Sequence, residues 1–135
     1  MQEFTAVKDS GSREEFPTGS VRDTQEGKPR FELVPVDALT RLAMHYTNGA
    51  KKYGDRNWEK GQPIERYFAS LFRHAYAALD GKLDEDHLAA VAWNVFAIIH
   101  TQNEIDKGTL PRELLMRKPT LPTLAPLHAA KGGAA

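Results

Sequence analysis

Apolar residues recur at helical spacing in three stretches of the chain. In the first, Leu39, Leu42, Ala43, Tyr46, Ala50 and Tyr53 line one side of a helix that Pro35 suits at its first turn and Gly54 ends. The second runs from Pro63 to about Asp80. There Phe68, Phe72, Ala75 and Leu79 form one core-facing row, with Tyr67, Leu71, His74 and Ala78 immediately beside it, and Gly81 breaks the helix. The third starts in Asp84-Glu85-Asp86, acids that complement the positive end of its dipole. From Leu88 to Ile99 it is apolar nearly all round, which places it centrally or at a subunit interface.

The flanks carry no such pattern. Residues 1–27 are rich in charge, Ser, Thr and Gly, with neither helical nor strand periodicity, and read as a partly ordered N-terminal arm. Phe31 to Val34 reads as a short extended or irregular stretch. Residues 109–135, with Pro111, Pro119, Pro122 and Pro126, read as a Pro-rich C-terminal tail containing a short helix near Arg112 to Met116. The prediction is therefore an all-α helical bundle over residues 28–108. Three helices alone leave much apolar surface, so a homo-oligomer, a dimer or tetramer, is expected to complete it.

Composition narrows the partners. The 135 residues suit one modest core. Eighteen basic residues balance eighteen acidic ones, so no long-range field favours nucleic acid or an anionic membrane. The absence of cysteine excludes a disulfide framework and thiolate metal sites, and fits a reducing cytoplasm. No secretory leader is read in the polar N-terminus, and no run approaches the roughly 20 apolar residues of a spanning helix.

The chemistry concentrates on two successive helices. His74 shares a face with Tyr67, Leu71 and Ala78; His87 shares one with Val91, Asn94 and Ile98. A single such histidine is as readily a core residue bonded to a carbonyl. Two inward polar rows on neighbouring antiparallel helices require a network, a metal or a ligand, because an unpartnered buried polar group costs roughly 1 to 3 kcal/mol. Asp80, Asp84, Glu85 and Asp86 exceed what capping needs. Clustered carboxylates suit Mg²⁺ or Mn²⁺, whereas zinc would use the histidines. Most of Lys28, Arg30, Lys51, Lys52, Arg56, Arg66 and Arg73 are ordinary solvated cations. Arg73, beside His74 and on a stripe with Asp80, is the candidate phosphate clamp. Trp58 plugs the end of the bundle or stacks on a base whose edge Asn57 reads.

The segments Lys28-Pro29-Arg30-Phe31-Glu32-Leu33-Val34-Pro35, Gly49-Ala50-Lys51-Lys52-Tyr53-Gly54-Asp55-Arg56-Asn57-Trp58-Glu59-Lys60-Gly61, Arg73-His74, Asp84-Glu85-Asp86-His87-Leu88-Ala89-Ala90 and Trp93-Asn94 together resemble the phage dATP/dGTP diphosphohydrolase family. This MazG-like group includes the MazZ enzymes of phages with 2-aminoadenine in their DNA. The resemblance implies an all-α, oligomeric, Mg²⁺- or Mn²⁺-dependent pyrophosphohydrolase. It would convert dATP or dGTP to the monophosphate and pyrophosphate in the cytoplasm, that of the host if phage-encoded.

On that reading Asp86, His74, Arg73 and Lys52 are catalytic, and Lys28, Arg30, Tyr53, Asn57, Trp58 and Asn94 bind substrate. His74, Asp84, Glu85, Asp86 and His87 hold metal. Asp86 is expected to be essential for turnover and dispensable for the fold. The chain departs from the MazG-like pattern in lacking ExxE on its second helix, which offers only Glu65 and Asp80, so the ligands differ in detail. Two other readings stay open. One is a phosphohydrolase releasing orthophosphate with His74, Asp84, Asp86 and His87 as ligands; the other is a non-enzymatic helical interaction module.

Overall fold

A computed structural model describes residue 3 and residues 6–115. Pro119, Pro122 and Pro126 of the predicted tail lie outside the described residues. Two compact units divide the chain, residues 1–35 and 36–135.

The first unit holds an antiparallel hairpin of β1 (Arg13–Glu15) and β2 (Val21–Asp23), with Glu14 opposite Arg22. Sequence periodicity does not announce it, because three-residue strands facing solvent on both sides need no alternation of apolar and polar residues. Polar contacts fasten it instead. The Asp23 carboxylate accepts from the Ser10 hydroxyl, from the Ser10 amide at 3.2 Å and from Lys28 Nζ at 3.0 Å. The Ser10 hydroxyl first, then Lys28, holds its pKa down at about 2.

The second unit contains α1 (Val36–Tyr53), α2 (Ile64–Leu79) and α3 (His87–Asp106), with 3-10 turns at Asn57–Lys60 and Arg112–Leu114. The all-α expectation holds for this body. Helix α1 stops at Gly54, whose amide bonds Ala50 O at 2.8 Å while its φ of 88° takes the chain out of the helix. Asp86 is the N-cap of α3: its carboxylate accepts from the Ala89 amide at 3.1 Å, so α3 begins at His87, later than expected from the acidic run.

The core lies between α2 and α3. Ile64 and Tyr67 pack with Ala97, Ile98 and Ile105, flanked by Leu71, Trp93, Leu110 and Leu114. The face of α2 turned toward α3 is thus the Ile64, Tyr67, Leu71, His74 row. The predicted core row is inward only in part: Phe68 packs against this core, whereas Phe72 is 55% and Leu79 83% exposed. A helix advancing about 100° per residue cannot bury both rows against one neighbour. On α1, Leu42 is buried whereas Leu39 and Tyr53 are exposed, against expectation.

Gly61, at φ 85°, lies against the chain that follows α3. A Cβ built there would stand 2.8 Å from Leu114 Cδ1 and 3.1 Å from Leu110 Cδ1. The loop carrying Trp58 is pinned at that point. Among the described residues no helix is long and apolar enough to cross a membrane.

Candidate active site

Both imidazoles flagged by periodicity meet where α2 ends and α3 begins. His74 Nδ1 lies 2.9 Å from His87 Nδ1, and His87 Nε2 lies 2.8 Å from Asp84 Oδ1. His87 is only 7% exposed, held there by the first turn of α3. The carboxylate fixes the proton of His87 on Nε2, leaving Nδ1 as a lone pair that accepts from His74 Nδ1–H. The same bond to His87 lowers the Asp84 pKa.

Glu85 completes the group. Donor atoms of His74, Glu85 and His87 all lie within 4.8 Å of one another. Two imidazole nitrogens 2.9 Å apart have the spacing of adjacent ligands on an ion with bonds of about 2.1 Å. Shifting the His74 proton to Nε2 would present both Nδ1 lone pairs. Asp84 would then orient His87 from behind, as carboxylates do for metal-bound imidazoles. This two-nitrogen, one-carboxylate set suits Mn²⁺ or another transition ion better than Mg²⁺, which favours an all-oxygen shell.

His74 and Glu85 line a cleft of about 550 Å³ that α1, the 54–62 loop, α2 and α3 enclose. Lys52, Tyr53, Asn57, Trp58 and Asn94 line it as well, so the structure gathers seven of the candidates into one cavity. Three of its lining rings touch in series, Trp58 meeting Tyr46 at 5.9 Å and Tyr46 meeting Trp93 at 6.0 Å between centroids, and Trp58 also packs on His100 at 5.0 Å. Trp58 therefore both plugs the bundle and faces the cavity.

Two candidates of the helical unit stand elsewhere. Asp86 gives its oxygens to Arg41 on α1, at 2.8 Å from Nε and 2.6 Å from a terminal nitrogen, and to the Ala89 amide. Arg41 is the main reason its pKa falls to about 2. Its carboxylate is thereby committed to joining α1 to α3. Arg73 lines a separate shallow hollow with Tyr76, Asp80 and Lys82, because it projects from the other side of α2. Lys28 and Arg30 belong to the first unit, paired there with Asp23 at 3.0 Å and Glu32 at 2.8 Å.

Other cleft residues were not among the candidates: His45, Tyr46, Arg56, Gln62, Ser70 and Trp93. The i, i+4, i+7 series His45, Gly49, Lys52 was available as a signal. Burial, with His74 close by, holds the His45 pKa below its usual value. Arg56 has φ 58° and ψ 26°, a left-handed conformation that costs a side-chain-bearing residue roughly 1 to 2 kcal/mol, and it lies on the cleft.

A family model described as dATP/dGTP diphosphohydrolase, N-terminal, matches residues 18–110. The chain belongs to this family. No curated protein and no solved structure matches it. The match takes in every residue of the cleft, the imidazole pair and the β2 strand.

Proposed function

We propose that the protein hydrolyses dATP or dGTP to the monophosphate and pyrophosphate, with a divalent ion, Mn²⁺ in preference to Mg²⁺, held by His74, Glu85 and His87. The observation that carries this reading is that His74 and Glu85 of that donor group line the same cleft as the rings of Tyr46, Trp58 and Trp93. When bound, the ion neutralises phosphate charge and acidifies the attacking water. Asp84 keeps His87 in the tautomer whose Nδ1 is a ligand. Lys52 and Arg56, both on the cleft, meet the charge that develops on the departing pyrophosphate. Tyr46, Trp58 and Trp93 offer the base a stacking wall, and Asn57 and Tyr53 lie along its approach.

A second copy of the chain covers the outer apolar side in this reading. Leu88, Phe96 and Ile99 of α3 and Phe72 and Leu79 of α2 are each at least half exposed. They project from the sides of their helices away from Asn94 and Ser70, so covering them leaves the cleft open. The family likeness further suggests service in remodelling a phage nucleotide pool: removing dATP favours a substitute base, and dGMP feeds its synthesis.

Product analysis tests the reaction. Each dNTP is incubated with the protein and Mn²⁺ or Mg²⁺; dAMP or dGMP with equimolar pyrophosphate is expected, faster with Mn²⁺. Orthophosphate release would replace the reading with the phosphohydrolase alternative, and no turnover with either ion would leave the interaction module.

A further inference from the structure

Asn94 is 2% exposed and lines the cleft, yet its carboxamide is only half satisfied. Its Nδ2 donates to Ala90 O at 2.8 Å and to Ser70 Oγ at 3.3 Å, whereas its buried Oδ1 has no partner. The amide cannot turn over to relieve this, because Oδ1 would then face the Ala90 carbonyl, acceptor against acceptor. The result is a fixed acceptor with an unmet demand for a donor, a state that costs roughly 1 to 3 kcal/mol until one arrives.

We infer that Asn94 Oδ1 is the specificity group of the cleft and accepts a hydrogen bond from an amino group on the edge of a purine base. The inference rests on the nucleotide reading above. Asn94 lies seven residues beyond His87 on α3, about 10 Å along the helix axis. With the reacting phosphate at His74 and His87, the base edge falls at that span and the sugar falls short of it. The rings of Tyr46, Trp58 and Trp93 line the same cleft as Asn94.

The locked orientation has a consequence for selectivity. Adenine presents a donor at its 6-position where guanine presents a carbonyl oxygen, and guanine presents donors at N1 and N2 where adenine has none. An acceptor that cannot flip serves one of these edges in a given pose, so the two purines are not handled alike. A base bearing both amino groups satisfies it either way.

The test pairs each purine substrate with an analogue lacking its amino group: dATP with 2′-deoxynebularine triphosphate, and dGTP with dITP. Turnover is measured with Mn²⁺ for the wild type, Asn94→Leu and Asn94→Asp, alongside calorimetric binding of the same nucleotides. In the wild type at least one analogue is expected to lose about tenfold in kcat/KM against its parent. The gap should close to within twofold in Asn94→Leu. It should persist in Asn94→Asp at a pH where the buried carboxyl is protonated, its O–H donating to Ala90 O as Nδ2 does and its other oxygen remaining the acceptor, which guards against a mere packing effect. Equal treatment of both pairs by the wild type, or a gap surviving in Asn94→Leu, overturns the inference while leaving the reaction intact. Failure of the wild type to bind or turn over any of the four overturns the nucleotide reading and this inference with it.

Discussion

The two sides of the α2–α3 pair invert the usual rule in opposite directions. Toward the cleft, where core is expected, they present His74, Ser70 and Asn94; away from it, where solvent is expected, they present Phe72, Leu79, Phe96 and Ile99. Each inversion is costly by itself. Buried polar atoms forfeit hydrogen bonds to water, and exposed apolar ones forfeit burial worth roughly 25 cal/mol per Å². A pair of helices carrying both is built for two partners, a polar ligand on one side and an apolar surface on the other.

The sharpest way to break this contrast is His74→Ala. It removes a donor atom from the cleft side alone, and turnover and Mn²⁺ affinity should both fall by more than about a hundredfold with the helical circular dichroism unchanged. Activity within tenfold of the wild type would take His74 out of the site. On the other side, Ile99→Glu places a charge on the outer stripe. Sedimentation equilibrium should then show self-association weakened by about a hundredfold while kcat per folded chain is kept. An unaltered mass at all concentrations would mean that this side is not the contact.

Asp84→Asn asks whether the orienting carboxylate matters beyond the ligands themselves. Losing it leaves His87 free to choose the wrong tautomer, so Mn²⁺ affinity should drop about tenfold, with KM for the nucleotide affected less than kcat. A substitution with no change in metal titration would reduce Asp84 to a surface acid. The smallest effect is expected from Asp86→Ala, which touches neither side. Loss of the α3 cap and of an exposed ion pair should lower stability by about 1 kcal/mol in urea denaturation. Residual activity should track the folded fraction; a specific loss of kcat would return Asp86 to the chemistry.

The three helices were legible because each is long enough for a 3.6-residue period to repeat, and Pro35, Gly54, Pro63 and Gly81 punctuate them. Which row of α2 faces inward was not. Phe68, Phe72 and Leu79 are more apolar than the row containing His74, and composition ranked them first; packing against α3 kept Phe68 at the core and left Phe72 and Leu79 outside. His74, His87 and Asn94 were found because polar residues on apolar faces stand out. Asp84 and Asp86 were not separable, since two acids in one turn look alike until one meets an imidazole and the other an arginine. The hairpin was missed because its stability comes from Asp23 and its partners, contacts without a period. His45 was missed because a lone histidine on a mixed helix face resembles any surface residue.

Gly61 has a bearing on how the site can be altered. Left-handed glycines bracket the loop that presents Asn57 and Trp58, Gly54 at the end of α1 and Gly61 beneath Leu110 and Leu114. Residues 55–60 thus span a set distance between two anchors, so their number is fixed. Libraries that randomise Asn57 and Trp58 at constant length would vary what the cleft accepts, whereas a one-residue insertion would pull one anchor out of register.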